Sequence, residues 1–549
     1  MSESFPLNID EIVKDTIKHC KYDDRFDAEQ IESMLREAYK LADEKLYPAW
    51  RKSDEDGVKF VDGKIEVPAF LEENFRDLVA WGWSALGMPE ELGGMEVPTV
   101  LTVALLEIFC GANFPIMMCP GLTKPAARVL NDHAGEWGKE YATKMVAGEW
   151  TGTMCLTEPH AGTALGDIKT RAIKQDDGTY ALEGQKIWIT FGAHGFDGIE
   201  TVHLVLAKTP DAPSGTKGIS LFAVPTVLPN GERNDVKCIG IEHKMGIHGS
   251  PTCTMAFGGD SQCTAYLVGE ECKGMRIMFE MMIDARIGVG IQAVSQLEAA
   301  QALAHTYAAD RVQGVSIDSL KDPDAPRVTI DDHPPVQRLL RRNKALSRAM
   351  RHFVFEIGAL ADKSYQGDEQ ATMLLEFSTP LVKAWCSDAA FNGISECLQV
   401  FGGNGYLAEF AVGQYMRDNR IAMIYEGANE VQGLDLLGRQ LPGKGGMKAM
   451  AFFQWLGESW AKAAEHDESK RAAAMGQELQ NHLGELLPSL AGLSPRDALY
   501  DATPILNALG AIAGLAALCR HCPESANDFA DEFIPQEQGR IMHLAKKRA

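Results

Sequence analysis

Three stretches of the chain place residue types at spacings that could support chemistry. The richest lies furthest along. Gln399-Val400-Phe401-Gly402-Gly403-Asn404-Gly405-Tyr406 has three glycines in four residues, which lets backbone approach a ligand closely. Arg417-Asp418 follows, and then Ile424-Tyr425-Glu426-Gly427-Ala428-Asn429-Glu430. Glu426 precedes a glycine in apolar surroundings, where lost solvation raises a carboxylate pKa toward values useful for proton abstraction. A hydrogen-bonded structural glutamate is the plain alternative. Leu156-Thr157-Glu158-Pro159-His160-Ala161-Gly162-Thr163 offers small residues and a hydroxyl at a strand end, open to a phosphate or a ring edge or else a simple turn. Gly184-Gln185-Lys186-Ile187-Trp188-Ile189-Thr190 sets an indole beside a hydroxyl, able to cover a planar ring and bond its nitrogen, or else to fill a core.

The elements around these stretches fall into blocks. From Asp27 to about Lys144 the apolar spacing is helical. IESMLREAYKLADEKLYPAW is expected to stop near Pro48, and VPTVLTVALLEIFCGANFP to start after Pro98 and stop at Gly111 and Pro115. Near Glu149 the pattern turns to short β-rich runs with Gly, Asp and Pro turns, ending near Gly269. Helical periodicity returns from Gly274 to about Gly438, with VSIDSLKDPDAPRVTIDDH as a polar loop, and suggests a bundle. After Leu441–Gly446 come three more helical candidates. The expected fold class is mostly α with a middle β-domain. Its divisions are 1–149 (α), 150–272 (β), 273–440 (helical bundle) and 441–549 (appended helices).

Bulk composition narrows the partners. The chain has 549 residues, 45% hydrophobic, enough for a sizeable core and a large ligand. A net charge of -23 argues against a nucleic-acid surface, which needs clustered cations. The Lys546-Lys547-Arg548 cluster reads as a solvated tail. Twelve cysteines without a framework read as reduced, buried thiols. Cys519 and Cys522 flank His521, but no second ligand pair accompanies them, so no metal site is expected. The start lacks a signal core and no apolar run reaches membrane-spanning length, which points to a cytoplasmic protein without a transmembrane segment.

Taken in order, the three stretches resemble the acyl-CoA dehydrogenase family. MCLTEPHAGT is similar to its first signature, QVFGGNGY with IYEGANEVQ to its second, and KIWIT lies between them. KMGIHGSPT resembles its Met-Gly-x-x-x-Ser-x-Thr segment. The resemblance covers roughly Asp27 to Arg439. It implies an N-terminal helical domain, a β-barrel-like middle domain and a four-helix bundle, with FAD between the last two. It also implies that Glu426 removes the α-proton of an acyl-CoA thioester while a hydride leaves for the flavin, giving a trans-2-enoyl product. By motif, Met154, Leu156, Thr157, Trp188, Ile189 and Thr190 meet the flavin ring, and Gly162 and Thr163 its pyrophosphate. Arg311, Gln399, Gly402 and Gly403 reach the FAD of a neighbouring subunit, so a homo-oligomer is implied, a dimer before a tetramer. Thr163, Arg286, Tyr425 and Gly427 are implied on the substrate side. An electron-transferring flavoprotein is the implied acceptor.

Departures from the family pattern fall mainly on the adenine side. Arg311-Val312-Gln313-Gly314 lacks the usual phenylalanine, Pro334 or Pro335 replaces a glutamine, Ala428 a threonine and His248 an arginine. These changes resemble a long branch with a helical C-terminal extension. Ala285 stands where some members keep their base, which favours Glu426 and leaves Asp284 second. An oxygen-using acyl-CoA oxidase is the rival enzyme. A DNA-associated relative is the rival of another class, disfavoured because the C-terminal block has no basic face.

Overall fold

The computed structural model describes residues 4–548. The chain opens with α1 (Ile9–His19), α2 (Ala28–Leu41), α3 (Tyr47–Asp56), a hairpin of β1 (Lys59–Val61) and β2 (Lys64–Glu66), α4 (Ala69–Trp81), α5 (Thr99–His133) and α6 (Gly135–Val146). The β region follows as β3 (Trp150–Cys155), β4 (Arg171–Lys174), β5 (Tyr180–Thr190), β6 (Glu200–Lys208), β7 (Ile219–Pro225), β8 (Val236–Ile241), β9 (Thr252–Phe257) and β10 (Cys263–Val268). Next come α7 (Gly274–Asp310), a small hairpin of β11 (Val312–Val315) and β12 (Arg327–Thr329), α8 (Pro334–Tyr365), α9 (Glu369–Val400), α10 (Val412–Asn419) and α11 (Asn429–Asp435). The C-terminal block holds α12 (Met447–Ala463), α13 (Lys470–Leu486), α14 (Pro495–Leu499), α15 (Ala502–His521) and α16 (Pro523–Arg548). The expected order of helical, β and helical regions is present.

Two compact units arise from this order. One comprises Lys40–Val97 and Ala112–Ala285. Its strands run β10-β7-β6-β4-β5, and β10 also pairs with β5, so these five close on themselves. Closure removes the exposed edges that an open sheet would present. β3 adds to β6 in parallel, while the far half of β5 leaves the ring to pair with β9 and then β8. β6 and β7 are buried along nearly their whole lengths, which is why TVHLVLA and ISLFAV carry apolar residues without alternation.

The other unit contains residues 4–39, 98–111 and 286–548 among those described. Its helices pack around α15, whose residues from Ala502 to Cys519 are almost all buried. Gly510 and Gly514 make a groove for Trp385 of α9: a Cβ at either would lie 2.3 or 2.4 Å from the indole. Charge is buried here too. Arg351 of α8 bonds Glu107 of α5 at 2.6 and 2.9 Å and lies 3.2 Å from Glu298 of α7 and 3.4 Å from Asp15 of α1. Nearby, the rings of His19, His352 and His521 crowd together at 4.0–6.0 Å, and His521 reaches Glu356 at 2.6 Å. Trp455 Nε1 donates to the other carboxylate oxygen of Glu356 at 3.2 Å, with the Arg520 charge paired to the same oxygen, so this polar cluster joins α1, α8 and α15.

Several local expectations need correction. Helix does not stop near Pro48, because a π turn at Ala42–Leu46 feeds α3, where Pro48 occupies the first turn and its missing N–H costs nothing. α5 resumes after Gly111. Only Asn113 leaves helical geometry (φ -154°, ψ 79°), and its side chain donates to Leu46 O and accepts from Ile116 N to restart the helix, with Pro115 in the new first turn. Two further C-terminal helices, the short α14 and the long α16, extend the three expected, and α16 closes the described chain. Its last residue, Arg548, is no solvated tail: it bonds Asp501 at 2.6 Å. Two helices, α5 and α15, are long and apolar enough to span a bilayer, contrary to expectation, but 89% and 83% of their apolar windows are buried inside the protein.

The glycine groove yields a stability test. Gly514→Ala is expected to overpack against Trp385 and cost about 1–3 kcal/mol. Gly484→Ala, in α13 with nothing within 4 Å of the added atom, is expected to gain roughly 1 kcal/mol. Urea unfolding midpoints of the two variants should move in opposite directions.

Candidate active site

Glu426 owes its position to an unusual turn. Between α10 and α11 the backbone enters the left-handed region at both Glu426 (φ 54°) and Gly427 (φ 85°). A side chain at Gly427 would lie 2.6 Å from Gln432 Nε2, so glycine is required there by space as well as by angle. Glu426 itself pays a strain of order 1 kcal/mol or more for a conformation that nonglycine residues seldom adopt. The surrounding bonds hold it. Gln432 Nε2 donates to the carbonyls of Glu426 (3.1 Å) and Gly427 (3.2 Å). Lys383 Nζ, fully buried in α9, donates to Gly427 O (2.7 Å) and Asn429 Oδ1 (2.8 Å). Asn429 continues the network to Ser387, Ala384 O and Asp388.

Electrostatics suit a base. Burial raises the Glu426 pKa above the ordinary carboxylate value, and the positive charges of Arg286 and Lys383 restrain that rise. Lys383 is pulled by burial to about 7, against the pull of Glu426 and Asp388. Arg286 sits 3.7 Å from Asp435, and its Nε has no hydrogen-bond partner among the described residues. Tyr425 donates to Gln292 Oε1 of α7, whose Nε2 is buried and likewise without a partner. Such orphaned donors are what a bound polar ligand would satisfy.

A second set of residues stands on the β unit. Trp188 (φ 60°) and Phe191 (φ 50°) bracket the end of β5, where pairing with β9 slips between Lys186 and Ile189. The bulge leaves the Trp188 ring 59% exposed, a costly display unless something covers it. Met154, Leu156, Thr157 and Thr190 are half-buried, Ile189 is buried, and Gly162 and Thr163 are exposed. A buried ion pair fixes the loop after β3 to β5. Lys186 Nζ donates to Glu158 Oε1 and Leu156 O, each at 2.9 Å. Glu158 also accepts from Lys169 N, Thr170 N and Thr170 Oγ1, and Ile187 N donates to Thr157 O. Burial pushes the Glu158 carboxyl upward, but Lys186 and these donors outweigh it and hold it below its usual value. The exposed indole, the flanking hydroxyls and the exposed, side-chain-free backbone at Gly162 fit a planar flavin with a phosphate tail.

The remaining expected residues lie on the surface of the α-rich unit. Arg311 directly follows α7, Gln399 lies in the last turn of α9, and Gly402 and Gly403 stand in the turn just beyond it; all four are exposed. Asn404 Nδ2 donates to Tyr307 OH (2.9 Å) and Phe401 stacks on Tyr307, which joins the glycine turn to the α7 terminus bearing Arg311. Departures find local explanations. Pro334 starts α8, and His248 bonds Asp54 and Lys244 O. Asp284 is engaged by Arg128 at 3.2 Å. Sequence reasoning missed Lys383, Gln432, Gln292 and the Glu158–Lys186 pair. A lone lysine in the apolar run LVKAWC was the available signal for the first.

Two experiments test this geometry. Lys186→Met strands the Glu158 carboxylate in a dry site and is expected to cost roughly 3–5 kcal/mol, read by denaturant unfolding at neutral pH. For Glu426, the proton-accepting form exists only above its raised pKa, so turnover should fall on the acid side. Arg286→Gln removes a charge that lowers that pKa, and the acid limb of the pH–rate profile should then move to higher pH.

Comparisons with known proteins bear on the whole chain. Residues 272–441 match the family model "Acyl-CoA dehydrogenase, C-terminal domain", and residues 153–259 match "Acyl-CoA dehydrogenase, middle domain". The chain is 37% identical over 526 residues to 3-methylmercaptopropionyl-CoA dehydrogenase of Ruegeria pomeroyi, covering 91% of this chain and 87% of that one. It is 34% identical over 446 residues to the broad-specificity linear acyl-CoA dehydrogenase FadE5 of Mycobacterium tuberculosis, covering 78% and 72%. The fold matches Caenorhabditis elegans ACDH-11 in complex with C11-CoA (TM-score 0.82, 19% identity, 98% and 92% covered). It also matches an acyl-CoA dehydrogenase from Bacillus anthracis complexed with FAD (TM-score 0.72, 19% identity, 98% and 88% covered). The chain belongs to the acyl-CoA dehydrogenase family and is an FAD-dependent oxidoreductase acting on acyl-CoA.

Proposed function

We propose that this enzyme introduces a trans double bond between C2 and C3 of an acyl-CoA thioester, with Glu426 as the base that removes the C2 proton. The observation that carries this reading is the left-handed Glu426–Gly427 turn, which commits strain and a fully buried lysine to the placement of one carboxylate of raised pKa. FAD, when bound, supplies the acceptor for the hydride that leaves C3. Met154, Leu156, Thr157, Trp188, Ile189 and Thr190 would hold its ring, and Gly162 and Thr163 its phosphates. The Glu426 N–H polarises the thioester carbonyl, which acidifies the C2 proton as negative charge moves to oxygen. Lys383 and Gln432 hold the turn's carbonyls so that base and amide stay fixed together. Arg286, Tyr425, Gly427 and Thr163 meet the substrate.

Arg311, Gln399, Gly402 and Gly403 belong to an interface in a homo-oligomer, favoured as a dimer. The 91% exposure of Tyr406, beside Leu407 on the same turn, supports a partner covering it. An electron-transferring flavoprotein receives the electrons. Relatives named for 3-methylmercaptopropionyl, butyryl and linear acyl groups make those thioesters the first to try.

Glu426→Gln is expected to retain bound FAD and lose flavin reduction by roughly 10²–10⁴-fold, the range a general base contributes. Anaerobic bleaching of flavin absorbance across an acyl-CoA panel reads this directly, and bleaching at the parental rate would remove Glu426 from the mechanism. Repeating turnover in air without a flavoprotein acceptor distinguishes a dehydrogenase from an oxidase.

A further inference from the structure

β8 and β9 bring two thiols together behind the strand that carries Trp188. In their register Cys238 stands opposite Met255 and Ile241 opposite Cys253, with one extra residue in β8 between Cys238 and Gly240. Alternate residues of a strand share a face, so Cys253, Met255 and Phe257 all turn inward, and Cys238 packs into the same cluster. The bulge at Ile239 leaves Cys238 and Cys253 on a diagonal of the same packed face, near enough for each thiol to perturb the other, while Cys238 Sγ donates to Gly240 O at 3.3 Å. Their environments differ: Cys253 is fully buried, whereas Cys238 is half-buried and reachable from solvent. The partner thiol lowers the pKa of Cys238, whereas burial raises those of Cys110, Cys119, Cys155, Cys386 and Cys397. One reachable thiol beside one buried thiol is the arrangement of an attacking and a resolving cysteine.

Cys253 also supports the end of β5. It pairs with Ile189 in the ladder, accepts from Ala193 N at 3.4 Å and donates to Ala193 O at 3.6 Å. Its Cβ leaves only 3.0 Å for a side chain at Gly192. The backbone it braces, Trp188 to Phe191, is the stretch with two nonglycine residues at positive φ.

We propose that Cys238 and Cys253 form a reversible disulfide that disables the ring-facing wall at Trp188–Thr190. A hydroperoxide is the oxidant. The Cys238 thiolate attacks one peroxide oxygen, the O–O bond breaks, and the departing oxygen leaves as water or alcohol after protonation, giving a sulfenic acid. Cys253 sulfur then attacks the sulfenic sulfur, the S–O bond breaks, and hydroxide leaves as water with the thiol proton. Two thiols lose two electrons and two protons, and the peroxide takes up both. The new S–S bond withdraws the Cys253 sulfur from Ala193 and pulls it toward β8, so the bulge behind Trp188 must shift. The effect on turnover rests on the flavin-wall reading above; formation of the bond does not.

The test treats the reduced holoenzyme with equimolar hydrogen peroxide, alkylates it, and maps peptides without reduction. A linked Cys238–Cys253 peptide that dithiothreitol reverses is expected, with a several-fold slower flavin reduction by acyl-CoA until the reductant is added. Cys238→Ser should keep its rate through the same treatment. Consumption of Cys238 without the linked peptide, or equal loss of rate in Cys238→Ser, overturns the proposal. A linked peptide with an unchanged rate overturns its control of the wall. Glu426→Gln protein should form the same link, which separates failure here from failure of the base assignment.

Discussion

Fixing a carboxylate in a left-handed turn is the constraint on which the α-rich unit depends. A glutamate at φ 54° would relax toward an extended or helical conformation if its flanking carbonyls were free. They are not free, because Gln432 takes both and Lys383 takes one from below. Lys383 can serve only if α9 runs unbroken beneath the turn, and α9 is held in turn by α8, α12 and α15. The long helices therefore do more than fill volume. They carry a dry cation to one peptide carbonyl and leave the glutamate little freedom.

The β unit uses the same device in another chemistry. The Glu158–Lys186 pair joins two segments far apart in sequence, and each bears residues that would face a flavin. Isolated charges could not be buried so deeply, whereas a pair whose carboxylate oxygens both accept hydrogen bonds can be. Arg351 repeats the device with carboxylates from three other helices. In each case a buried ion specifies register between elements that apolar packing alone would let slide.

Sequence patterns revealed some of this organisation and concealed the rest. The alternation of helical, β and helical blocks was legible because periodicity is a property of neighbours in the chain. The continuation of α5 past Gly111 was not, because Asn113, whose Oδ1 accepts from Ile116 N to restart the helix, is held in place by donating to Leu46 O, remote in sequence. α16 was obscured by Pro535 and a high density of charge, and only its packing against α13 and α15 shows its helical state. Lys383 reads as an ordinary helix residue until the carbonyl above it is seen.

The stacked imidazoles of His19, His352 and His521 carry a consequence for handling the protein. Burial drops the His19 pKa to about 3 and moves that of His352 well below its ordinary value. An unfolded chain takes up these protons near pH 6.5, whereas the folded one refuses them until far stronger acid. Stability present above pH 6.5 therefore drains away as the solution is acidified toward 3. Acid acts as a wedge at the seam of α1, α8 and α15, so mildly alkaline buffers are the safer medium for storage and crystallisation.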